Sequence, residues 1–294
     1  MTLFTGVGAA MVTPFGADGS IDYAVLDEYI EHLISGGVSA LVPFGTTGEP
    51  ATISAEEYKQ GIKFVVAHAK KRVPVIVGAG SNSTAIAYDR AVTAKQLGAD
   101  GVLVVTPYYN KCTQRGITEH YKAVAKANIP IITYNVPSRT GVNILPATVK
   151  ELAKIDGVIG IKEACGNIDQ FQATAKVCAE TGFDLYSGDD GITATAMLMG
   201  AKGVISVACS PAPKMMSKLC ELCEQGKFTE AQGLQFKLGD LISALFCEVN
   251  PIPVKKAMQL LGINVGAPRL PLTELEPQHT ELLKTAMREL ELIK

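Results

Sequence analysis

Three apolar runs decide the fold of this chain: VLVV at residues 102–105, IITYN at residues 131–135 and VIGIK at residues 158–162. Each run is short, rich in Val and Ile, and largely without the alternation of polar and apolar residues that marks a half-buried strand. Continuous apolar runs of this kind are typical of parallel strands that are buried on both faces. The longer stretches between them are amphipathic, so the segment predicts strands that alternate with helices.

The same alternation extends in both directions along the chain. Further strands are predicted at Val7–Met11, Ala40–Phe44, Val75–Gly78, Asp184–Ser187 and Val204–Val207. Apolar residues recur at helical spacing over Tyr23–Ile34, and Ser54 with Glu57 three residues later forms a capping-box pattern at the start of another helix. Eight βα units before residue 225 predict a (β/α)8 TIM barrel. A doubly wound parallel sheet would show the same pattern, although its usual G-x-G-x-x-G fingerprint does not follow the first strand.

The length of 294 residues fits either two ordinary domains or one barrel with an extension. After Gln225 the strand pattern stops, and three helices are predicted at Phe228–Phe246, Pro251–Leu261 and Thr273–Leu292. We therefore expect residues 1–225 to form a catalytic barrel and residues 226–294 to form a helical C-terminal part.

Composition and charge exclude several classes of protein. Hydrophobic residues make up 47% of the chain and charged residues 19%, which is too apolar for a disordered protein. Lys and Arg number 27 against 29 Asp and Glu, so no basic surplus predicts a nucleic-acid partner. The first Lys or Arg is Lys59, whereas a secretory signal or a transit peptide needs basic residues near its start. No apolar run approaches the roughly 20 residues of a membrane span. We expect a cytoplasmic protein without a membrane segment.

Cysteine and histidine usage predicts neither a disulfide framework nor a metal site. The seven cysteines are odd in number and scattered, and a chain with a large core does not need disulfides. The four histidines fall in or near helical stretches, where we expect most of them to face solvent. We expect no metal and no cofactor.

Barrel active sites lie at the carboxyl ends of the strands, so the residue that closes each strand bears on function. Lys162 closes the sixth strand. Burial at the mouth of an apolar barrel would lower its pKa, and a neutral amine attacks a carbonyl to form a Schiff base. The alternative is that Lys162 extends to the rim and pairs with Glu163.

Other strand ends carry groups suited to an acidic substrate. Backbone N–H groups and hydroxyls of the GTTG loop at residues 45–48 are suited to holding a carboxylate, although glycine-rich turns of this kind are common without a ligand. Arg139 suits bidentate binding of a second carboxylate, or else a surface ion pair. Three tyrosines at the strand ends are suited to relaying protons, or else they pack at the rim: Tyr108, Tyr109 and Tyr134. Together these groups favour carbon–carbon bond formation on a keto acid through an enamine.

Four segments resemble the dihydrodipicolinate synthase family: GTTGE at 45–49, YNVPSRTG at 134–141, GIKEA at 160–164 and NPIPVK at 250–255. The resemblance runs from Phe4 to about Leu275 with the segments in the same order. The wider superfamily of N-acetylneuraminate lyase and keto-deoxy sugar-acid aldolases, the class I pyruvate aldolases, shares the barrel, the first loop and the lysine. The arginine of the second segment is characteristic of the synthases.

The resemblance implies an enzyme of lysine and diaminopimelate biosynthesis. It would condense pyruvate with L-aspartate 4-semialdehyde and close the product to 4-hydroxy-tetrahydrodipicolinate, without a cofactor. Lys162 would form the Schiff base with pyruvate. Thr46, Tyr134 and Tyr109 would form a proton relay, with Tyr109 reaching in from a neighbouring subunit of a homotetramer built as a dimer of dimers.

The resemblance also implies which residues bind the substrates. Thr47, together with Thr46, would hold the carboxylate of pyruvate, and Arg139 would bind the carboxylate of aspartate semialdehyde. Gly188 and Ile205 would line the site through their backbones.

The chain departs from family members that are inhibited by lysine. Their inhibitor site has a glutamate where this sequence has Ile86 and a histidine where it has Tyr58, whereas Asn82 and Tyr108 are retained. Since Ile86 cannot pair with an ammonium group, we expect L-lysine to inhibit weakly or not at all.

The sequence disfavours two alternative functions. A sibling pyruvate aldolase acting on a sugar acid such as N-acetylneuraminate is disfavoured by Arg139 and Thr46, because such a lyase usually has Ser in the loop and no arginine at the mouth. A non-catalytic barrel is disfavoured by the intact set of Lys162, Tyr134 and Thr46.

Overall fold

Residues 2–294 are described in a computed structural model. The strands are β1 Gly6–Ala10, β2 Ala40–Val42, β3 Ile76–Gly78, β4 Gly101–Val105, β5 Ile131–Asn135, β6 Val158–Glu163, β7 Asp184–Ser187 and β8 Gly203–Ser206. All neighbouring strands pair in parallel, in the order β2-β1-β8-β7-β6-β5-β4-β3. A parallel bridge between Leu41 and Val75 joins the two ends of this order. The sheet therefore closes into a (β/α)8 barrel, and the doubly wound alternative is excluded because β1 pairs with β8.

The strands are buried on both faces, as their continuous apolar sequences predict. Of all the strand residues, only Val105 and Ile159 are partly exposed. The predicted strands overlap the observed ones with ends that differ by one or two residues. The prediction of a barrel strand order from eight repeated βα units is confirmed.

Helices follow the strands and cover the outside of the barrel. Within residues 2–294 the α-helices are α1 Tyr23–Ser35, α2 Ala55–Ala69, α3 Thr84–Gln96, α4 Gln114–Ala125, α5 Pro137–Thr140, α6 Pro146–Leu152, α7 Ile168–Thr181, α8 Thr193–Leu198, α9 Pro213–Glu224, α10 Phe228–Lys237, α11 Gly239–Leu245, α12 Ile252–Leu260 and α13 Pro277–Glu289. Two short 3-10 turns lie at Thr46–Gly48 and Asp190–Ile192. None of these helices combines the length and the apolar character that crossing a membrane requires.

Helix α2 begins where the capping box predicts. The Ser54 hydroxyl accepts from the backbone N–H of Glu57 at 3.2 Å, and the Glu57 carboxylate accepts from the backbone N–H of Ser54 at 2.9 Å. These reciprocal bonds satisfy two of the N–H groups that a helix start leaves without partners. The loop between β2 and α2 therefore ends at Ser54 in a hydrogen-bonded helix cap.

The C-terminal helices differ from their predicted bounds. The predicted helix Phe228–Phe246 is divided into α10 and α11 at Leu238, next to Gly239, a residue that weakens a helix interior by about 1 kcal/mol relative to alanine. The predicted start at Thr273 is wrong, since α13 begins at Pro277. Proline is favoured in the first turn because its missing N–H would have no partner there.

Three of the four histidines are partly exposed, and the exception is His120, which is buried on α4 with Nδ1 3.0 Å from the Thr84 hydroxyl. Burial lowers the pKa of His120 to about 4, so it is neutral at physiological pH.

Candidate active site

A cavity of about 470 Å³ opens at the carboxyl ends of the strands. Lys162, Tyr134, both threonines of the GTTG loop and Arg139 line it. An adjoining cavity of about 310 Å³ shares Thr46, Tyr134 and Arg139 with the first. The structure thus brings together side chains that the sequence places on the second, fifth and sixth βα units. Ile242 and Ser243 of helix α11, with Phe246 directly after it, close one wall of the first cavity.

Lys162 lies on the barrel side of β6 and is 5% exposed. It is level with Tyr134 on β5, and its Nζ lies 4.5 Å from the centre of the tyrosine ring. Burial lowers the pKa of Lys162 to about 8; the Asp190 carboxylate opposes this shift and the Arg139 guanidinium adds to it. Among residues 2–294, no carboxylate forms an ion pair with Lys162, which argues against the alternative of a pair with Glu163 at the rim.

Glu163 points away from the cavity because successive side chains of a strand face opposite sides. Its carboxylate accepts from Asn135 Nδ2 at 2.8 Å, and the same amide donates to Asn143 Oδ1 at 2.9 Å. Burial raises the pKa of Glu163, whereas its hydrogen bond with Asn135 opposes the rise. The Glu163–Asn135 bond ties the ends of β6 and β5 together and thereby holds Lys162 and Tyr134 at the same height.

Tyr134 is buried beside the amine. Burial raises the pKa of its phenol, and the charge of Arg139 and the Thr46 hydroxyl oppose that rise. The phenol is therefore neutral near pH 7 and carries a proton that it can donate to a neighbouring oxygen.

Gly188 lines the cavity and leaves space for the lysine. A Cβ at this position would lie 2.9 Å from Cε of Lys162 and 2.7 Å from Cβ of Ala164. Because real side chains do not approach so closely, any larger residue would displace the amine. Ile205 is buried within β8 at 1% exposure and does not line the cavity, whereas Val207 does.

The GTTG loop has an unusual backbone at both ends. Phe44 and Glu49 have φ values of 56° and 57°, a left-handed conformation that residues other than glycine rarely adopt. Such positions cost on the order of 1–3 kcal/mol and persist only where surrounding contacts hold them. The contact here is an ion pair from Glu49 to Lys255 of α12, at 2.6 Å, with both side chains at most 2% exposed.

Arg139 lies in the one-turn helix α5 at the cavity mouth. Its side chain lines both cavities, and its Nη2 donates to the backbone carbonyl of Asn250 at 3.2 Å. Tyr109, in contrast, lies outside both cavities of its own chain. It is 89% exposed and has a φ of 74°.

Sequence reasoning assigned no role to Asp190 or Asn250. The Asp190 carboxylate is buried, and it accepts from the backbone N–H groups of Val207 and Ala208 at 3.0 Å each. Its position three residues after β7, at the carboxyl end of a strand, is the sequence feature that could have pointed to it. Asn250 Nδ2 donates to Thr47 Oγ1 at 2.9 Å. No local pattern links two residues so far apart in the chain.

The fold and the site define a class of protein: a (β/α)8 barrel with a buried lysine and a facing tyrosine at the carboxyl ends of its strands. Within that class, residues 3–290 match the model of the Dihydrodipicolinate synthetase family. The chain belongs to this family.

Similar proteins agree over the full length. A 4-hydroxy-tetrahydrodipicolinate synthase of Clostridium novyi is 48% identical over 288 residues, which covers 98% of this chain and 97% of the relative. A monomeric dihydrodipicolinate synthase variant has a TM-score of 0.97 at 41% identity, covering 99% and 98% of the two chains. The dihydrodipicolinate synthase of Acinetobacter baumannii, solved in complex with pyruvate, has a TM-score of 0.96 at 43% identity, covering 99% and 100%.

Proposed function

We propose that this chain condenses pyruvate with L-aspartate 4-semialdehyde and cyclises the product to 4-hydroxy-tetrahydrodipicolinate, a step of lysine and diaminopimelate biosynthesis. One observation carries the proposal: the amine of Lys162 is buried in a cavity at the barrel mouth, faces Tyr134, and has a pKa lowered to about 8. The names of the similar proteins, and the pyruvate complex of one of them, support the choice of substrates.

The first half of the reaction builds a nucleophile. The neutral amine of Lys162 attacks C2 of pyruvate, and the resulting carbinolamine loses water to give an iminium. The iminium withdraws electrons, so C3 loses a proton and an enamine forms. Tyr134, whose ring faces the amine, would pass the protons of these steps together with Thr46. Tyr109 of a neighbouring subunit would complete this relay.

The second half forms the new bond and releases the enzyme. The enamine C3 attacks the aldehyde carbon of the second substrate, whose oxygen takes up a proton. The amino group of that substrate then attacks C2, displaces the amine of Lys162 and closes the ring. One water is lost overall, from the first step.

The binding roles follow from charge and geometry. Thr46 and Thr47 would hold the carboxylate of pyruvate, and Arg139 would hold the carboxylate of the second substrate at the mouth, where its guanidinium lines both cavities. Gly188 supplies space for the amine. Ile205 lies in β8, where it pairs with Gly8 of β1 in the barrel wall.

The related aldol cleavage of a sugar acid such as N-acetylneuraminate is not favoured. Arg139 is present at the mouth, and the named relatives are synthases. The two activities share the pyruvate Schiff base and differ only in the second substrate.

The test has two stages. Incubation with pyruvate and borohydride, followed by peptide mapping, should place one reduced pyruvyl group on Lys162; the variant Lys162→Met is the control and should stay unlabelled. Product formation is then measured with aspartate semialdehyde and with N-acetylmannosamine. Labelling elsewhere would refute the mechanism, and turnover of only the sugar would assign the chain to the lyases.

Assembly, location and domain division belong to the same proposal. A homotetramer built as a dimer of dimers would bury the exposed Tyr109 in a neighbour's site. All seven cysteines, which lie within residues 2–294, are free thiols, as suits a protein of the reducing cytoplasm. We retain the division into a barrel of residues 1–225 and a helical part of residues 226–294, although the second part supplies a wall of the cavity.

A further inference from the structure

Asn250 lies behind the GTTG loop and contacts two of the proposed substrate-binding residues, one through its side-chain amide and one through its backbone carbonyl. Its Nδ2 donates to Thr47 Oγ1 at 2.9 Å, and its backbone carbonyl accepts from Arg139 at 3.2 Å. Asn250 is 5% exposed and lies on the walls of both cavities. We propose that Asn250 is a positioning residue that directs the hydroxyl proton of Thr47 into the cavity, toward the carboxylate of the keto acid. This inference rests on the proposed function.

The hydroxyl of Thr47 can donate only one hydrogen bond. A threonine hydroxyl has one proton to donate and two lone pairs that accept. Because one lone pair of Thr47 faces the N–H of Asn250, the proton cannot point toward that amide. Thr47 Oγ1 makes no other hydrogen bond within residues 2–294. A carboxylate only accepts, so it binds here only if the proton of Thr47 points into the cavity.

The orientation of the amide follows from the cost of buried groups. As oriented, Asn250 leaves its Oδ1 buried and without a partner. If the amide were flipped, the two N–H donors of Nδ2 would be buried without partners where Oδ1 now lies. Buried carbonyl oxygens without partners are more common in proteins than buried N–H groups without partners. The observed orientation is therefore the cheaper one, and it makes Asn250 the donor.

The backbone that carries Asn250 is held firmly against the loop. Helix α12 begins two residues later, and its Lys255 forms the buried ion pair with Glu49. One C-terminal segment thus contacts the loop at Thr47 and again two residues further on. Since both contacts are buried, the donor of Asn250 stays aligned on the threonine in the absence of substrate.

The test separates an action through Thr47 from a general loss of structure. In Asn250→Ala the hydroxyl of Thr47 is free to rotate, and we expect KM for pyruvate to rise about tenfold, as for a lost hydrogen bond to a charged group, with a smaller change in kcat. In a Thr47→Val background the same substitution should change KM little, because the proton it directs is gone. The isosteric Asn250→Asp keeps the shape but accepts the proton of Thr47, so it should raise KM for pyruvate further.

A matched control exists in the same region. Gln259 also donates its amide to a backbone carbonyl, that of Gly266, at 3.0 Å. Gln259→Glu should lower the unfolding temperature without changing KM for pyruvate. If the wild-type protein gives no pyruvate adduct on Lys162, the proposed function fails. If wild type gives the adduct but Asn250→Ala and Asn250→Asp bind pyruvate normally, or Asn250→Ala acts equally in the Thr47→Val background, the positioning role is overturned.

Discussion

Lys162 shows how a single residue takes its chemistry from its surroundings. Two charges act on the amine with opposite sign: the Asp190 carboxylate raises its pKa and the Arg139 guanidinium lowers it, against a larger lowering by burial. The sequence predicts a lowered pKa from the position at the end of an apolar strand. It does not show that Asp190, 28 residues later in the chain, contributes to the same pKa.

The pH dependence of Schiff-base formation follows from these charges. Only the neutral amine attacks pyruvate, so kcat/KM for pyruvate should rise with pH and level off above about pH 8, the pKa of Lys162. Asp190→Asn removes the charge that raises this pKa and should move the profile to lower pH. Arg139→Ala removes a charge that lowers it and should move the profile to higher pH. Rates of borohydride trapping across pH give the profiles of the wild type and of both variants. If both variants shift the profile in the same direction, the opposing effects assigned to Asp190 and Arg139 are contradicted.

Arg139 should matter for the second substrate and little for the first. At a pH where the lysine is neutral, Arg139→Ala should still form the pyruvate adduct. Its kcat/KM for aspartate semialdehyde should fall about 10–100-fold, the effect of losing a charge-assisted hydrogen bond worth about 1.5–3 kcal/mol. Steady-state kinetics with each substrate varied in turn measure this, and Arg115→Ala on α4 serves as a surface control. A variant that cannot form the adduct would rule out the role given to Arg139.

Inhibition by L-lysine is a prediction about two other side chains. Ile86 is 49% exposed and offers no charge to an ammonium group, and the Tyr58 hydroxyl is buried and already donates to the backbone carbonyl of Gly78 at 3.0 Å. We expect added L-lysine to lower the activity weakly or not at all. Ile86→Glu restores the acidic group and is the comparison variant. Inhibition of the wild-type protein at low lysine concentrations would refute the prediction.

At the scale of elements, helix α12 stabilises the GTTG loop through the buried ion pair between Lys255 and Glu49. Burial lowers the pKa of Lys255, and Glu49 opposes that shift. The ring of Phe15 lies 4.1 Å below the ammonium. The sequence assigns no role to Lys255 or Glu49. A lysine near the C-terminus gives no local sign that it will be buried against the GTTG loop.

Breaking this pair should be costly for stability. Lys255→Met leaves the Glu49 carboxylate buried without its partner charge, and we expect a loss of about 3–5 kcal/mol in the free energy of unfolding. Lys255→Met combined with Glu49→Gln removes both charges and should recover part of that loss. Urea unfolding of the single and double variants measures the difference. An exposed pair, Lys122 with Glu119 on α4 at 2.9 Å, is the matched control and should cost at most about 1 kcal/mol.

At the scale of the whole molecule, the position of Tyr109 predicts that sites are shared between subunits. The variants Tyr109→Phe and Lys162→Met should each be weakly active or inactive alone. Mixed and reassembled, they form hybrid dimers in which one site has both an intact Lys162 and an intact Tyr109 from the partner. Activity should then return to at most about a quarter of the wild-type value. If mixing restores nothing while sedimentation shows that hybrids form, Tyr109 does not act across an interface.

The strand positions, the start of α2 and the functional lysine were within reach of the sequence because each depends on local patterns. Apolar runs, helical periodicity and the capping box at Ser54 act over a few residues. The break at Leu238 and the start of α13 at Pro277 were missed, since apolar periodicity alone does not show where a glycine or proline interrupts a helix.

The sequence by itself determined the class of fold, the position of Lys162 at a strand end and the family likeness of the loops. Only the tertiary structure decided barrel closure, the burial of Lys162 near Asp190, and the contacts that Asn250 and Lys255 make with Thr47 and Glu49. The physical reason is distance along the chain. A strand forms from its own side chains, whereas a pKa or the orientation of a hydroxyl depends on every group that folding brings within a few ångströms. Asn250, for example, lies 203 residues from Thr47 in the chain.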